Sequence, residues 1–96
     1  MDQFYDGFLH ERYDDFLFYA REATWKGKFM RLPRFQKHLK YNFDGLYSYN
    51  KRIADLDIAD KTIEKRGKLS PTSTTHYNYT SQLLVDHYGF REILSD

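Results

Sequence analysis

Hydrophobic residues recur at spacings of three and four along the first part of the chain, as they do on one side of an amphipathic helix. The positions are Tyr5, Leu9, Tyr13, Phe16 and Ala20. This period predicts a first helix over residues 2–22. The apolar run at residues 16–19 is also compatible with a strand, but the longer periodic window favours the helix.

A second pattern begins where Gly27 and Pro33 interrupt the first one. Because proline is well tolerated in the first turn of a helix, a short helix is predicted over residues 33–41. Phe35 and Leu39 are four positions apart and would face inward. The outer side would carry three basic residues at intervals of three, Arg34, Lys37 and Lys40.

The middle of the chain changes to the period of two that is typical of strands. Residues 46–49 are rich in β-forming side chains, and residues 53–58 alternate between apolar and acidic side chains. The alternation places Ala54, Leu56 and Ile58 on one side. A third strand is predicted over residues 62–69. Three strands with one apolar face still need a covering element.

The last segment carries both a start and a stop signal for a helix. Ser70 offers a capping hydroxyl directly before Pro71. Gly89 suits the left-handed residue after a helix end, with Phe90 as its hydrophobic partner. The fold class that follows is α+β in a single domain over residues 1–96. It combines N-terminal helices, a three-stranded antiparallel β-sheet and a C-terminal helix packed on the sheet.

Composition narrows the class of protein. Aromatic side chains make up 19% of the residues, and such rings both fill small cores and serve at interfaces. The chain contains no cysteine, which excludes disulfides, thiolate metal sites and cysteine nucleophiles. Its N-terminus is acidic and no apolar run is long enough to span a membrane. These features favour a cytoplasmic protein without a membrane partner.

Charge is distributed unevenly, although the net charge is only +1. Residues 1–22 carry two basic and six acidic side chains, and residues 53–96 carry five basic and seven acidic ones. Between them, residues 23–52 carry eight basic side chains and one acidic one. Such a basic segment is compatible with three environments: the solvent-facing side of an ordinary core segment, a nucleic acid, or an acidic protein surface.

Familiar catalytic and metal-binding patterns are missing from the sequence. His76 and His87 share one side of the last helix but lie about 16 Å apart along its axis, too far for one ion. The acidic residues lack the spacing of a calcium loop, and no nucleophile elbow of the Gly-x-Ser-x-Gly type occurs. The sequence therefore predicts a non-enzymatic protein with no metal and no cofactor.

Short motifs in the second half of the chain resemble those of short proteins from bacteriophages and mobile elements. The motifs are the run at residues 47–49, the pair at 53–54, and Ser70 followed by the run at 74–76. The resemblance covers residues 46–90. It implies a phage-type accessory protein that binds a host protein, and hence a location in the host cytoplasm.

Two hypotheses follow. The first is an inhibitor that docks on a host protein, such as a nucleic-acid-processing or CRISPR-type defence complex. Either the acidic residues of the first helix imitate phosphate, or the basic segment binds an acidic patch of the partner. Those acidic residues of the first helix are Asp2, Asp6, Glu11, Asp14 and Asp15. The alternative is a small nucleic-acid-binding regulator that uses the basic segment 26–40. The candidate contact residues under both hypotheses are Trp25, Lys26, Lys28, Arg31, Arg34, Lys37, Lys40, Asp14 and Asp15.

Overall fold

Two helices and seven short strands make up the described part of the chain, with five of the strands in succession between the helices. The computed structural model describes residues 4–5, 12–32, 34–35 and 37–93. The elements are β1 (Phe4–Tyr5), α1 (Tyr13–Trp25), β2 (Phe29–Arg31), β3 (Leu39–Tyr41), β4 (Gly45–Ser48), β5 (Lys51–Asp57), β6 (Thr62–Lys65), α2 (Pro71–Tyr88) and β7 (Arg91–Ile93).

All described strands form one mixed sheet whose spatial order equals the chain order, β1 to β7. Strands β2 to β6 make an antiparallel meander. The two outermost pairs, β1 with β2 and β6 with β7, are parallel. The predicted three-stranded antiparallel sheet is therefore wrong. It captured only β4 to β6. β3 was missed because its residues were assigned to the helix over residues 33–41, and the parallel pairs β1–β2 and β6–β7 are joined through helices and leave no hairpin signal in the sequence.

Both helices lie on the same face of the sheet. Each joins two parallel neighbouring strands, and a right-handed crossover in the same direction along the sheet places both on one side. The rings confirm this arrangement. Phe16 of α1 stacks on Tyr88 of α2 with 4.4 Å between ring centroids, and it lies 5.9 Å from Tyr41 of β3. The core forms between this helical layer and the sheet.

On strands β2 to β6, the side that faces the helices is mainly apolar and buried. Met30 of β2 pairs in register with Tyr41, and Tyr41 pairs with Leu46. All three are at most 1% exposed. The predicted alternation is confirmed at Ala54 and Leu56 of β5 and continues to Ile58 directly after the strand, because all three are buried. Since side chains alternate along a strand, the residues between these positions project from the opposite face, on which no described helix packs.

The first helix begins later than its hydrophobic period predicted. α1 starts at Tyr13, and residues 4–5 form strand β1. The inward stripe is correct within the helix, because Phe16 and Ala20 are fully buried. The other predicted helical positions between residues 2 and 11 lie outside the described residues. The helical spacing of apolar residues continued by coincidence through the residues of β1. Those residues form a strand because they pair with β2, which lies far away in the sequence.

The predicted helix over residues 33–41 is not formed. Its end is strand β3, and Phe35 has a φ of +60°, a left-handed conformation that a helix does not contain. Leu39 and Tyr41 are buried and Lys40 between them is half-buried, which is the period of a strand. Pro33, the predicted helix start, lies outside the described residues.

The last helix is confirmed at both ends. Ser70 Oγ accepts a hydrogen bond from the Ser73 amide at 3.2 Å, and Pro71 is the first helical residue. Gly89 follows the helix with a φ of +75°. The Phe90 amide donates to the Leu84 carbonyl at 3.3 Å, and the Phe90 ring is buried beside Phe16. Local signals alone specify this element.

Candidate functional site

The predicted basic segment does not form one continuous surface. Lys26 follows the last residue of α1, and its Nζ lies 3.1 Å from the Glu22 carboxylate. Lys28 precedes β2 and is half-buried. Arg31 on β2 and Lys40 on β3 are direct cross-strand partners. These two are the members of the predicted set that the fold brings side by side.

Arg34 and Lys37 lie in the connection between β2 and β3 and point to a different part of the molecule. The Arg34 guanidinium lies over the rings of Phe35 and Tyr79, at 5.0 and 5.7 Å from their centroids. Lys37 is exposed in a turn. The predicted outer face of Arg34, Lys37 and Lys40 is therefore wrong, because these residues do not share a helix.

The acidic residues Asp14 and Asp15 occupy the first turn of α1 and are exposed. Negative charge is favourable there because the amide groups of a helix N-terminus carry partial positive charge. Asp14 also lies 3.8 Å from the Arg12 guanidinium. Asp2, Asp6 and Glu11, the other proposed phosphate mimics, lie outside the described residues.

Aromatic side chains stand on the solvent side of α1. Trp25 is 87% exposed and Phe18 is 57% exposed. Residues seven apart on a helix differ by only about 20° in direction, so both rings point the same way, opposite the buried Phe16 and Ala20. The groove beside them has a volume of about 470 Å³ and is lined by Phe18, Arg21, Glu22, Trp25 and Lys26.

Sequence reasoning singled out Trp25 but not Phe18. Phe18 was counted only as part of an apolar run at residues 16–19, whose strand-like appearance hid its direction. Phe18 can be identified from its position seven residues before Trp25 on a helix whose buried side is already formed by Phe16, Ala20 and Ala23. We refer to Phe18 and Trp25 with the groove beside them as the aromatic face of α1.

Polar and aromatic side chains cluster where the β4–β5 hairpin meets α2. The Ser48 hydroxyl and His76 Nδ1 are 2.7 Å apart, and the His38 ring stacks on Tyr49 at 4.2 Å between centroids. Burial, and then the nearby His38, lower the pKa of His76. Ser48 is 1% and His76 is 3% exposed. The Ser48–His76 hydrogen bond is therefore enclosed between β4 and α2. Its two residues both belong to the motifs of the sequence resemblance.

Acidic side chains of β5 are occupied by local partners. The Asp55 carboxylate lies 3.0 Å from Arg52 Nε and 3.6 Å from the Arg66 guanidinium. Asp57 accepts a hydrogen bond from the Asp60 amide at 3.0 Å, within the turn that follows the strand. Within the described ranges, no group of three or more His, Cys, Asp or Glu side chains is arranged to hold a metal ion.

Neither α1 nor α2 is long and apolar enough to cross a membrane, in the part of the chain that the structure describes. The described residues form a small α+β domain with two helices on one face of a mixed sheet. One helix carries exposed aromatic side chains, and neither described helix covers the other face of the sheet. Comparison with protein-family models, curated proteins and solved structures gives no significant match.

Proposed function

We propose that this protein is a non-catalytic binding module that docks on a protein partner through the aromatic face of α1. The observation that carries the proposal is the joint exposure of Trp25, at 87%, and Phe18, at 57%, on the side of the helix opposite the core. Large rings exposed together are costly in water, and such patches mark interaction surfaces. Tryptophan is also among the residues that most often dominate binding energy.

The surroundings of the two rings favour a protein over a phosphate backbone. The groove is bordered by charges of both signs, with Glu22 and Lys26 paired at 3.1 Å. Arg21 also lines the groove, and its guanidinium lies over the ring of Phe43, 5.3 Å from the ring centroid. An apolar centre with a mixed polar border is the usual composition of a protein–protein interface.

Within this proposal, the partner is a protein of a host nucleic-acid-processing or defence complex, and docking inhibits it. Two features support this narrower form: the resemblance of residues 46–90 to short phage and mobile-element proteins, and the basic side chains Arg31 and Lys40 placed together on another surface of the domain. If the partner binds nucleic acid, Arg31 and Lys40 can contact that nucleic acid while the aromatic face of α1 contacts the partner.

Trp25 supplies its own reporter, because it is the one tryptophan of the chain. A partner is first isolated on immobilised protein and purified. Its addition to the free protein is expected to shift the emission of Trp25 to shorter wavelength and to reduce quenching by acrylamide, since docking removes the indole from water. Calorimetry then gives the affinity of the wild type, Phe18→Ser, Trp25→Ser and the control Ile93→Ser. Ile93 is also exposed, at 43%, but lies on β7.

We expect each α1 variant to weaken binding about 30-fold or more, the effect of losing an interface residue worth about 2 kcal/mol. The control is expected to bind like the wild type. Unchanged affinity of both α1 variants would refute the proposal. Sedimentation of the protein alone tests whether the aromatic face of α1 instead binds a second copy of this chain. A dimer that Trp25→Ser converts to a monomer would also refute docking on a different protein.

A further inference from the structure

A row of side chains crosses the sheet on the face turned away from the helices. Arg31 of β2 pairs in register with Lys40 of β3, Lys40 pairs with Tyr47 of β4, and Tyr47 pairs with Arg52 of β5. Cross-strand partners project to the same side of a sheet, so the four side chains form one continuous row over four strands. With strands about 4.8 Å apart, the row is about 14 Å long.

Phe29 adds a second aromatic ring beside the row. Its centroid lies 5.4 Å from that of Tyr47, with the rings nearly perpendicular. The Lys40 Nζ lies 4.4 Å from the centre of the Phe29 ring and donates to the Asn50 side-chain oxygen at 2.8 Å. Two rings and the head group of a lysine therefore share one small area. We call Phe29, Arg31, Lys40, Tyr47 and Arg52 the sheet-face row.

The far end of the row is fixed in place. Arg52 donates from its Nη2 to the Asp44 carbonyl at 2.6 Å and pairs with Asp55 at 3.0 Å. Its side chain lies across Gly45, where a Cβ would come within 2.7 Å of Arg52 Nε. The absence of a side chain at Gly45 thus makes room for the Arg52 guanidinium, and a guanidinium held by fixed partners is suited to a phosphate oxygen.

Charges of opposite sign are separated along the described part of this sheet face. Arg31 and Lys40 place two basic side chains next to each other on β2 and β3, whereas the acidic cross-strand partners Asp55 and Glu64 lie on β5 and β6. Basic side chains beside aromatic rings are the combination that a nucleic-acid surface uses, with charge for the phosphates and rings for unpaired bases.

We propose that the sheet-face row binds single-stranded nucleic acid. Arg31, Lys40 and Arg52 contact phosphates, and Tyr47 and Phe29 stack on unpaired bases after Lys40 moves off the Phe29 ring. An open sheet face with two rings accepts about two bases, and stacking requires that the bases be unpaired. This site is separate from the aromatic face of α1 and does not depend on the function proposed for that face.

The test is fluorescence anisotropy of labelled oligo(dT), oligo(U) and a DNA duplex, titrated with the protein. The titrations are made at about 50 and 200 mM salt, because binding through phosphate contacts weakens steeply between these concentrations. The row variants are Arg31→Gln/Lys40→Gln, which removes two charges, and Tyr47→Leu, which removes a ring. The matched control is Arg12→Gln/Lys61→Gln, which also removes one arginine and one lysine charge. Arg12 is exposed directly before α1, and the Lys61 Nζ lies 4.2 Å from the ring centre of Tyr13 on α1, so both lie on the helix side and away from the row. Circular dichroism establishes that each variant is folded.

We expect single strands to bind, with an affinity that falls steeply between the two salt concentrations. The row double variant should weaken binding at least tenfold and reduce the salt slope by about 2, because two phosphates are no longer neutralised by a basic side chain. Tyr47→Leu should weaken it about tenfold with the slope unchanged, because stacking is not ionic. The control should change affinity less than the row variants do. No binding at the lower salt, tighter binding of the duplex, or equal effects of the control and the row variants would each overturn the proposal.

Discussion

Phe16 and Phe18 provide a direct test of the assignment of faces on α1. They have the same side chain and lie two positions apart on one helix, yet Phe16 is fully buried and Phe18 is 57% exposed. The Phe16 ring contacts Tyr88 at 4.4 Å, Tyr41 at 5.9 Å and Phe90 at 6.3 Å between centroids. It joins both helices to the sheet, so its removal leaves a cavity where the layers meet.

Phe16→Ala is expected to lower the free energy of unfolding by about 3–5 kcal/mol, the range for a buried phenylalanine. A domain of this size has about 5–14 kcal/mol in total, so the variant loses a large part of its stability. At about 5 °C per kcal/mol for a domain near 100 residues, the melting temperature falls by about 15–25 °C. Phe18→Ala should change stability by no more than about 0.5 kcal/mol.

Urea unfolding followed by far-ultraviolet circular dichroism measures both variants. Trp25 fluorescence is unsuitable as the probe because the indole is already 87% exposed in the folded protein. Equal losses for Phe16→Ala and Phe18→Ala would refute the assignment of faces, and with it the argument that Phe18 is available to a partner.

Three further predictions concern single contacts. Gly45→Ala should destabilise the protein by about 1 kcal/mol because its Cβ displaces Arg52, and the same change in an Arg52→Ala background should cost nothing; equal costs in both backgrounds would contradict the close approach. Burial lowers the pKa of His76 in the folded protein. The stability that the neutral His76 contributes is therefore fully present above about pH 6.5, where the unfolded histidine is also neutral, and is lost as the pH falls below that value. Urea midpoints measured against pH should show this dependence in the wild type and little of it in a His76→Asn variant. Burial and the hydrogen bond to Glu92 raise the pKa of Tyr77 well above its ordinary value, so at neutral pH its hydroxyl donates to Glu92 at 2.6 Å; Tyr77→Phe should speed hydrogen exchange in β7, and unchanged exchange there would show that this bond does not hold the strand.

The parts of the fold that the sequence predicted are those that local chemistry specifies. α2 has a capping serine, an N-terminal proline and a left-handed glycine, and each acts within a few residues. The alternation on β5 is equally local. Residues 33–41 were misassigned because Phe35 and Leu39 fit a helical interval by chance. The decisive interaction, the pairing of Leu39 with Ser48, depends on a strand nine residues away.

The outer strands were missed for a different reason. β1 has two residues and β7 has three, and all three residues of β7 are exposed, so no alternation marks them. The candidate site residues also divide into those that the sequence alone identifies and those that only the assembled sheet identifies. Arg31, Lys40 and Trp25 were identified from charge and composition, whereas Tyr47 and Arg52 enter only through the register of β3, β4 and β5. Register is a property of the assembled sheet and cannot be deduced from one strand.

The equality of chain order and sheet order has a consequence for folding during synthesis. Every strand from β3 to β6 pairs with the strand made just before it, so the meander can assemble as the nascent chain leaves the ribosome. α2, however, is made after the meander is complete, and its rings close the core beside Phe16. Between these two events the sheet presents its apolar side with only α1 over one part of it. The chain is therefore most exposed to aggregation and chaperone binding in the interval before α2 emerges.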